Sequence, residues 1–166
     1  MKKATLVKQH DYKDCGAACL ASICAHYGRL IPIARVRQIC HTDTRGTNVL
    51  GMIQGLNELG FNAKGVKGDL SAIPQIPLPA IAHIVVNETM HHYVVIYKVQ
   101  KEVISVMDPG TGKIETYSLE EFSKIWTGVL ILLEPNEYFE QRNEKTSIYT
   151  RFWNLIQPHK TILIQA

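Results

Sequence analysis

The sequence predicts an α+β domain in which a helical half comes first and an antiparallel sheet follows. Apolar residues recur at helical spacing up to Leu59, and short apolar runs separated by polar turns replace that pattern from Phe61 onward. With 46% hydrophobic and 20% charged residues, the 166-residue chain has the composition of a globular protein. It is long enough for one domain with a core of its own and a further segment.

The helical half is predicted to contain three helices. Their predicted ranges are residues 15–27, 32–40 and 48–59. Asp14 and Asn48 belong to the residue types that cap helix N-termini. Pro32 suits the start of the second helix, and Gly28 is a typical stop for the first. The spacing of the apolar residues turns one face of each helix toward the core.

The second half is predicted to form six strands and one more helix. The predicted strands are residues 61–66, 79–86, 93–99, 103–107, 113–117 and 129–133. Short polar turns after the second and third strands favour antiparallel hairpins. Ser118 and Glu121 form a Ser-x-x-Glu capping box, which predicts a helix from Leu119 to about Trp126. We expect the last strand to close a meandering sheet.

Composition divides the chain into three parts. We predict a folded domain at residues 1–136, a charged linker at 137–150, and an amphipathic, apolar segment at 151–166 that leads toward a membrane domain. The chain is therefore expected to be a piece of a larger protein. No apolar run approaches the ~18 residues of a membrane span. Polar residues from Lys8 to Lys13 argue against a signal peptide.

Charge and cysteine content exclude several classes of protein. A net charge of +3, with no dense patch of Lys and Arg, argues against a nucleic-acid partner. The close spacing of Cys15, Cys19 and Cys24 is not that of a disulfide framework. Cys15 and Cys19 with His26 match no zinc pattern, so a structural metal domain is the weakest alternative. We expect reduced thiols in a cytosolic compartment.

The helix start at Cys15 is the main chemical signal. An N-cap at Asp14 places Cys15 in the first turn, where free N–H groups and the positive end of the helix dipole favour a thiolate. Gln9, six residues upstream, can supply a carboxamide donor near the same sulfur. The charge of Asp14 opposes the thiolate, and we expect the helix terminus and a histidine partner to outweigh it. A buried helical cysteine without a chemical role gives the same local pattern.

A cysteine nucleophile needs a general base and a group that orients this base. His91 and His92 stand at the mouth of the third predicted strand, where alternation lets only one of them share the face toward Cys15. Asp108 ends the following strand, and neighbouring antiparallel strands can bring it beside His92. Spacing alone does not choose between the two histidines. An Asp-Pro-Gly sequence is also ordinary turn chemistry.

Four motifs follow one another along the chain. They are Gln9, the run Asp14-Cys15-Gly16-Ala17-Ala18-Cys19-Leu20, the run His92-Tyr93-Val94-Val95, and Asp108-Pro109. Together they resemble the papain-like cysteine peptidase domain of bacteriocin-exporting ABC transporters, the double-glycine leader peptidases. The resemblance covers residues 5–135 in motif order and spacing. The cysteine motif with its upstream glutamine is specific, whereas Asp-Pro alone is weak.

The resemblance implies a papain-like fold and a role for each motif residue. Cys15 would be the nucleophile and His92 the general base and acid. Asp108 would orient His92, and Gln9 would donate to the oxyanion. No cofactor is implied for the peptidase domain, because ATP and Mg²⁺ would bind only in a separate nucleotide-binding domain. The sequence contains no P-loop motif of its own.

The resemblance also implies a substrate and a setting. The substrate would be a bacteriocin, lanthipeptide or signalling-peptide precursor whose amphipathic helical leader ends in Gly-Gly, and cleavage would follow that motif. The partners would be the transmembrane and nucleotide-binding domains of the same transporter, at the cytoplasmic face of the bacterial cell membrane. The full-length protein would be a homodimer and the isolated domain a monomer.

Two other functions would use the same residues. A papain-like acyltransferase or amidase would pass the acyl group to an amine in preference to water. A non-catalytic docking module of an exporter would bind the leader without cutting it. The presence of Cys15, His92 and Asp108 together argues against the docking module.

Overall fold

The computed structural model describes residues 4–145, which form a helical half packed on an antiparallel sheet. The helices are α1 (Cys15–His26), α2 (Ile33–Ile39), α3 (Val49–Glu58) and α4 (Leu119–Ile125). The strands are β1 (Phe61–Lys67), β2 (Ala80–Val86), β3 (Met90–Gln100), β4 (Val103–Asp108), β5 (Lys113–Ser118) and β6 (Trp126–Pro135). Short 3₁₀ helices occupy Tyr12–Asp14 and Leu70–Gln75. The predicted α+β fold class is confirmed.

The six strands lie in the order β1-β6-β2-β3-β4-β5, and every neighbouring pair is antiparallel. Strands β2 to β5 form the predicted meander. Strand β6 does not extend that meander, because it lies inside the sheet between β1 and β2. Its Ile131 is buried in the core that contains α1, and its Leu130 is buried in the core that contains α4. Burial on both faces explains why the middle of this strand, residues 129–133, is apolar and shows no alternation.

Helix α1 lies at the centre of the helical half. The residues from Cys15 to Cys24 are all buried, since the helix packs against α2, α3 and β3. The thiol of Cys19 donates a hydrogen bond to the carbonyl oxygen of Tyr93 at 3.4 Å, which links α1 directly to β3. Helix α1 contains four alanines and one glycine, and these small residues allow such close packing.

Strand β3 begins at Met90, earlier than predicted. The turn before it contains Asn87 and Glu88 at φ values of 50° and 62°. This left-handed conformation reverses the chain within a few residues and lets pairing begin at once. As a result, His91 and His92 lie inside the strand and not at its mouth.

The chain that follows β6 lies against the helical half. The backbone N–H of Asn136 donates to the carbonyl oxygen of Gly60 at 2.9 Å. The ring of Phe139 packs against the ring of Phe61, with centroids 4.7 Å apart. We call residues 136–145 the C-terminal strap.

The strap ends at the C-terminal end of α1. There Glu144 accepts a hydrogen bond from Nε of the buried Arg29 at 2.8 Å. Residues 137–145 of the predicted linker at 137–150 thus contact the helical half through Phe139 and Glu144. The remainder of that linker and the predicted apolar segment at 151–166 lie outside the described residues. Within the described residues, none of the helices has the length and hydropathy required to cross a membrane.

Candidate active site

The thiol of Cys15 lies at the N-terminal end of α1. Cys15 is the first residue of the helix, follows directly on the 3₁₀ turn at Tyr12–Asp14, and is 7% exposed. The N–H groups of a first helical turn have no carbonyl partner within the helix, and they carry the positive end of its dipole. The fold therefore places the sulfur where negative charge is stabilised.

Asp14 occupies the N-cap position, but its side chain makes no capping hydrogen bond to α1. The prediction of a capping carboxylate is wrong because Asp14 has φ −91° and ψ 1°, not the extended conformation that capping requires. The carboxylate turns back along the chain, and its Oδ2 accepts from the N–H of Asp11 at 3.2 Å. Its Oδ1 lies 3.3 Å from Nε of Arg37 on α2.

His92 and Asp108 meet across the neighbouring strands β3 and β4. His92 Nε2 lies 2.8 Å from Asp108 Oδ1. The N–H of Gly110 donates to the same oxygen at 2.6 Å, so the turn after β4 holds the carboxylate in place. A Cβ atom at position 110 would lie 3.1 Å from this oxygen, which explains the need for glycine in this close turn. The structure thus brings together two of the predicted site residues.

The thiol of Cys15 lies close enough to the His92 ring to raise the pKa of this ring. Because Nε2 of the ring faces Asp108, the nitrogen left for the sulfur is Nδ1. The His92 side chain is buried, so bulk water competes little for either contact. The imidazole of His92 thus interacts with both Cys15 and Asp108, and it is hydrogen-bonded to Asp108.

The environment favours the charged forms of His92 and Asp108. Burial lowers the pKa of His92, but the hydrogen bonds and negative charges of Asp108 and Cys15 outweigh burial and raise the pKa to about 9. Burial likewise raises the pKa of Asp108, but the bond to His92 and the N–H of Gly110 bring it below its usual value. At neutral pH the site therefore holds an imidazolium beside a carboxylate.

His91 points to the other face of β3. Its Nδ1 lies 3.2 Å from Nε2 of His83, and the two rings stack with centroids 5.2 Å apart. Strand alternation therefore separates the two neighbouring histidines, as predicted for residues that follow each other in a strand. His92 is the one that meets Cys15 and Asp108.

Gln9 is placed beside the turn after β4 by its backbone. Its N–H donates to the carbonyl oxygen of Pro109 at 2.9 Å. Thr5 lies upstream of Gln9, and its carbonyl oxygen accepts a hydrogen bond from the hydroxyl of Ser22 on α1. The N-terminal segment is thereby fixed both to α1 and to the turn that holds Asp108. The side-chain Oε1 of Gln9 is buried and has no hydrogen-bond partner within the described part of the chain.

Two further residues of the site were not predicted from the sequence. Arg37 lies on α2, whose apolar spacing predicts a buried face but gives no link to Asp14. Gly110 was predicted only as part of a turn. An aspartate that accepts from the N–H two residues later is a common turn arrangement, so the Asp-Pro-Gly sequence carried a usable signal for this contact.

The chain is similar to known proteins over most of its length. The model of the peptidase C39 family matches residues 3–138. The chain is 40% identical over 166 residues to the lactococcin-G-processing and transport ATP-binding protein LagD of Lactococcus lactis subsp. lactis, covering 99% of this chain and 23% of LagD. The chain therefore spans about a quarter of the length of this relative.

Solved structures show the same fold. The peptidase domain of Streptococcus ComA, a bifunctional ABC transporter involved in quorum sensing, superposes with a TM-score of 0.75 at 35% identity, covering 81% of this chain and 100% of that one. A double-glycine-motif protease from an AMS/PCAT transporter, solved in complex with its leader peptide, superposes with a TM-score of 0.74 at 27% identity, covering 81% and 94%. The papain-like peptidase fold implied by the resemblance is confirmed.

Proposed function

The chain belongs to the peptidase C39 family, and on this premise we propose that it is a cysteine endopeptidase that removes leaders from precursor peptides after a Gly-Gly motif. The observation that carries the proposal is the position of His92, which hydrogen-bonds with Asp108 and interacts with the thiol of Cys15. A thiol paired with an oriented imidazole is the arrangement that nucleophilic catalysis requires.

The proposed reaction starts with attack by the Cys15 thiolate on the carbonyl carbon of the second leader glycine. The N–H of Cys15 and the carboxamide of Gln9 stabilise the tetrahedral oxyanion, and one such donor is typically worth about 3–4 kcal/mol of barrier height. The protonated His92 gives its proton to the departing amine, which leaves an acyl-enzyme. His92 then takes a proton from water as that water releases the leader.

We propose that this reaction serves peptide export. The relatives are named as processing and transport ATP-binding proteins, and the chain covers 23% of LagD. The proposed partners are therefore the transmembrane and nucleotide-binding parts of one transporter, at the cytoplasmic face of the bacterial cell membrane. ATP and Mg²⁺ would act in the nucleotide-binding part, and the full-length protein would be a homodimer.

Incubation of the reduced domain with a leader–core peptide tests the proposal. We expect one cut, directly after Gly-Gly, and two product masses that sum to the substrate mass plus one water. The matched control is the same peptide with Ala-Ala in place of Gly-Gly, which we expect to remain intact. Cleavage of both peptides at equal rates, or of neither, contradicts the proposed specificity.

The same experiment separates the two alternative functions. With hydroxylamine added, an acyltransferase would give the hydroxamate of the leader as the main product, whereas the proposed peptidase gives mainly the free acid. A docking module would bind a fluorescent leader peptide without releasing any product. Either result would replace the proposed function.

The protonation state of His92 predicts how the rate of cleavage depends on pH. The protonated ring is needed for the leaving amine, and it persists until its pKa of about 9, so kcat/KM should fall as the pH rises through that value. The measurement is kcat/KM between roughly pH 5 and pH 10.

Asp108→Asn is the matched variant for this pH profile. It removes the charge that raises the pKa of His92 and leaves burial, which lowers this pKa. The alkaline limb should then move to lower pH. An alkaline limb that stays in place in the variant would show that another group causes it.

A further inference from the structure

A buried carboxylate belongs to the residue before the proposed nucleophile. Asp14 directly precedes Cys15, and its side chain is 1% exposed. A like charge buried close to a thiol opposes formation of the thiolate. In a site that relies on a thiolate, we therefore expect this carboxylate to have a structural role and a positive charge to offset its negative charge.

The structural role of Asp14 is to close the turn before α1. Asp14 Oδ2 accepts from the N–H of Asp11 at 3.2 Å, and the N–H of Asp14 donates to the carbonyl oxygen of Asp11 at 2.9 Å. These two bonds close the 3₁₀ turn that joins Gln9 to Cys15. The carboxylate thereby fixes the conformation of the chain between Gln9, the proposed oxyanion donor, and Cys15, the proposed nucleophile.

The counter-charge comes from α2. Arg37 Nε lies 3.3 Å from Asp14 Oδ1, an oxygen that has no hydrogen bond within the described part of the chain. The contact is an ion pair and not an aligned hydrogen bond. The carboxylate is buried and the Arg37 side chain is 42% exposed, so solvent screens this pair less than a pair of two exposed side chains.

Charges around Cys15 are therefore arranged in two pairs. His92 on β3 is paired with Asp108 on β4, and Arg37 on α2 is paired with Asp14. Cys15 also has an electrostatic effect on Cys19 on α1 and on Tyr93 on β3. Burial raises the pKa of both of these groups, so they stay neutral at neutral pH.

We propose that Arg37 is a positioning residue of this site, which holds Asp14 in the turn before α1 and offsets its negative charge beside Cys15. The proposal rests on the proposed function in one respect, that Cys15 is the nucleophile. Arg37 acts through Asp14 and does not contact the substrate.

Alkylation of Cys15 by iodoacetamide, followed against pH and assigned by mass spectrometry of the labelled peptide, tests this role. In Arg37→Gln the unpaired carboxylate should move the midpoint of the alkylation profile up by about one pH unit. Arg37→Lys keeps the positive charge and should move it much less. Arg37→Gln combined with Asp14→Asn removes both charges and should return the midpoint to the wild-type position.

Arg35→Gln is the matched control. Arg35 lies on the same helix, is exposed, and carries the same charge, but it pairs with Gln38 and not with the site. We expect its alkylation profile to equal that of the wild-type protein. A purely structural role for Arg37 would leave the double variant as impaired as the single variant.

The outcomes distinguish this proposal from the proposed function. An unchanged midpoint in Arg37→Gln, in a protein whose wild-type form cleaves the Gly-Gly peptide, overturns the role of Arg37 alone. A shifted midpoint that the double variant restores, in a protein that cleaves no peptide, supports the role of Arg37 and contradicts the proposed function.

Discussion

Replacing Cys15 with alanine is expected to lower the rate of leader cleavage by at least about 10⁴-fold, the scale seen when a catalytic nucleophile is removed. Without the sulfur no acyl-enzyme forms, and His92 and Gln9 have nothing to activate or to stabilise. The fold should persist, because Cys15 contributes one small side chain to a large core. The measurement is product formation under single-turnover conditions, followed by mass spectrometry.

Cys19→Ala is the matched control for this variant. Cys19 lies one turn further along α1, and its buried thiol donates to the carbonyl oxygen of Tyr93 and takes no part in the proposed chemistry. We expect this variant to cleave at a rate within about threefold of the wild-type protein, with a loss of about 1 kcal/mol in the free energy of unfolding. Equal rates for Cys15→Ala and the wild-type protein would remove Cys15 from the mechanism.

Replacing Gly60 with alanine is expected to lower the free energy of unfolding by about 3–4 kcal/mol. Gly60 ends α3 at a φ of +93°, a conformation that side chains rarely adopt. A Cβ atom there would also lie 2.6 Å from Cα and 2.7 Å from N of Phe139 in the strap. Because these are backbone atoms, the strap must move to admit the methyl group. Urea denaturation monitored by tryptophan fluorescence measures the loss.

Gly46→Ala separates the two causes of this loss. Gly46 has a similar φ of +104°, but a Cβ atom there meets its nearest neighbour, the carbonyl oxygen of Lys13, at an ordinary 3.5 Å. We expect a loss of about 1 kcal/mol from the backbone conformation alone. Similar losses in the two variants would show that the strap makes no close contact with Gly60 in solution.

Capping residues and apolar spacing predicted most helices and strands, because these signals depend on residues that are close in sequence. Asn48 Oδ1 accepts from the N–H of Gly51 at 2.8 Å, and Ser118 and Glu121 form the predicted capping box. The place of β6 in the sheet was not predictable in this way, since an apolar strand fits any interior position of a sheet.

The candidate site was predictable in part for the same reason. Spacing identified Cys15, His92 and Asp108 as candidates, but only the family resemblance chose His92 over His91. The sequence predicted a capping role for Asp14, and this prediction was wrong. The residue type does not reveal the backbone conformation, and the backbone conformation decides the direction of the carboxylate. The pairing of Asp14 with Arg37 joins two helices, and no pattern within either helix encodes it.

The burial of α1 has a consequence for hydrogen exchange. The residues from Cys19 to Cys24 are all buried, and their amides donate within the helix, so local motions of the surface do not expose them to water. They should exchange with deuterium only when the whole domain opens, on the time scale of global unfolding. The helix that carries the thiol is thus part of the slowest-exchanging region, and the position of the sulfur is maintained for as long as the domain remains folded.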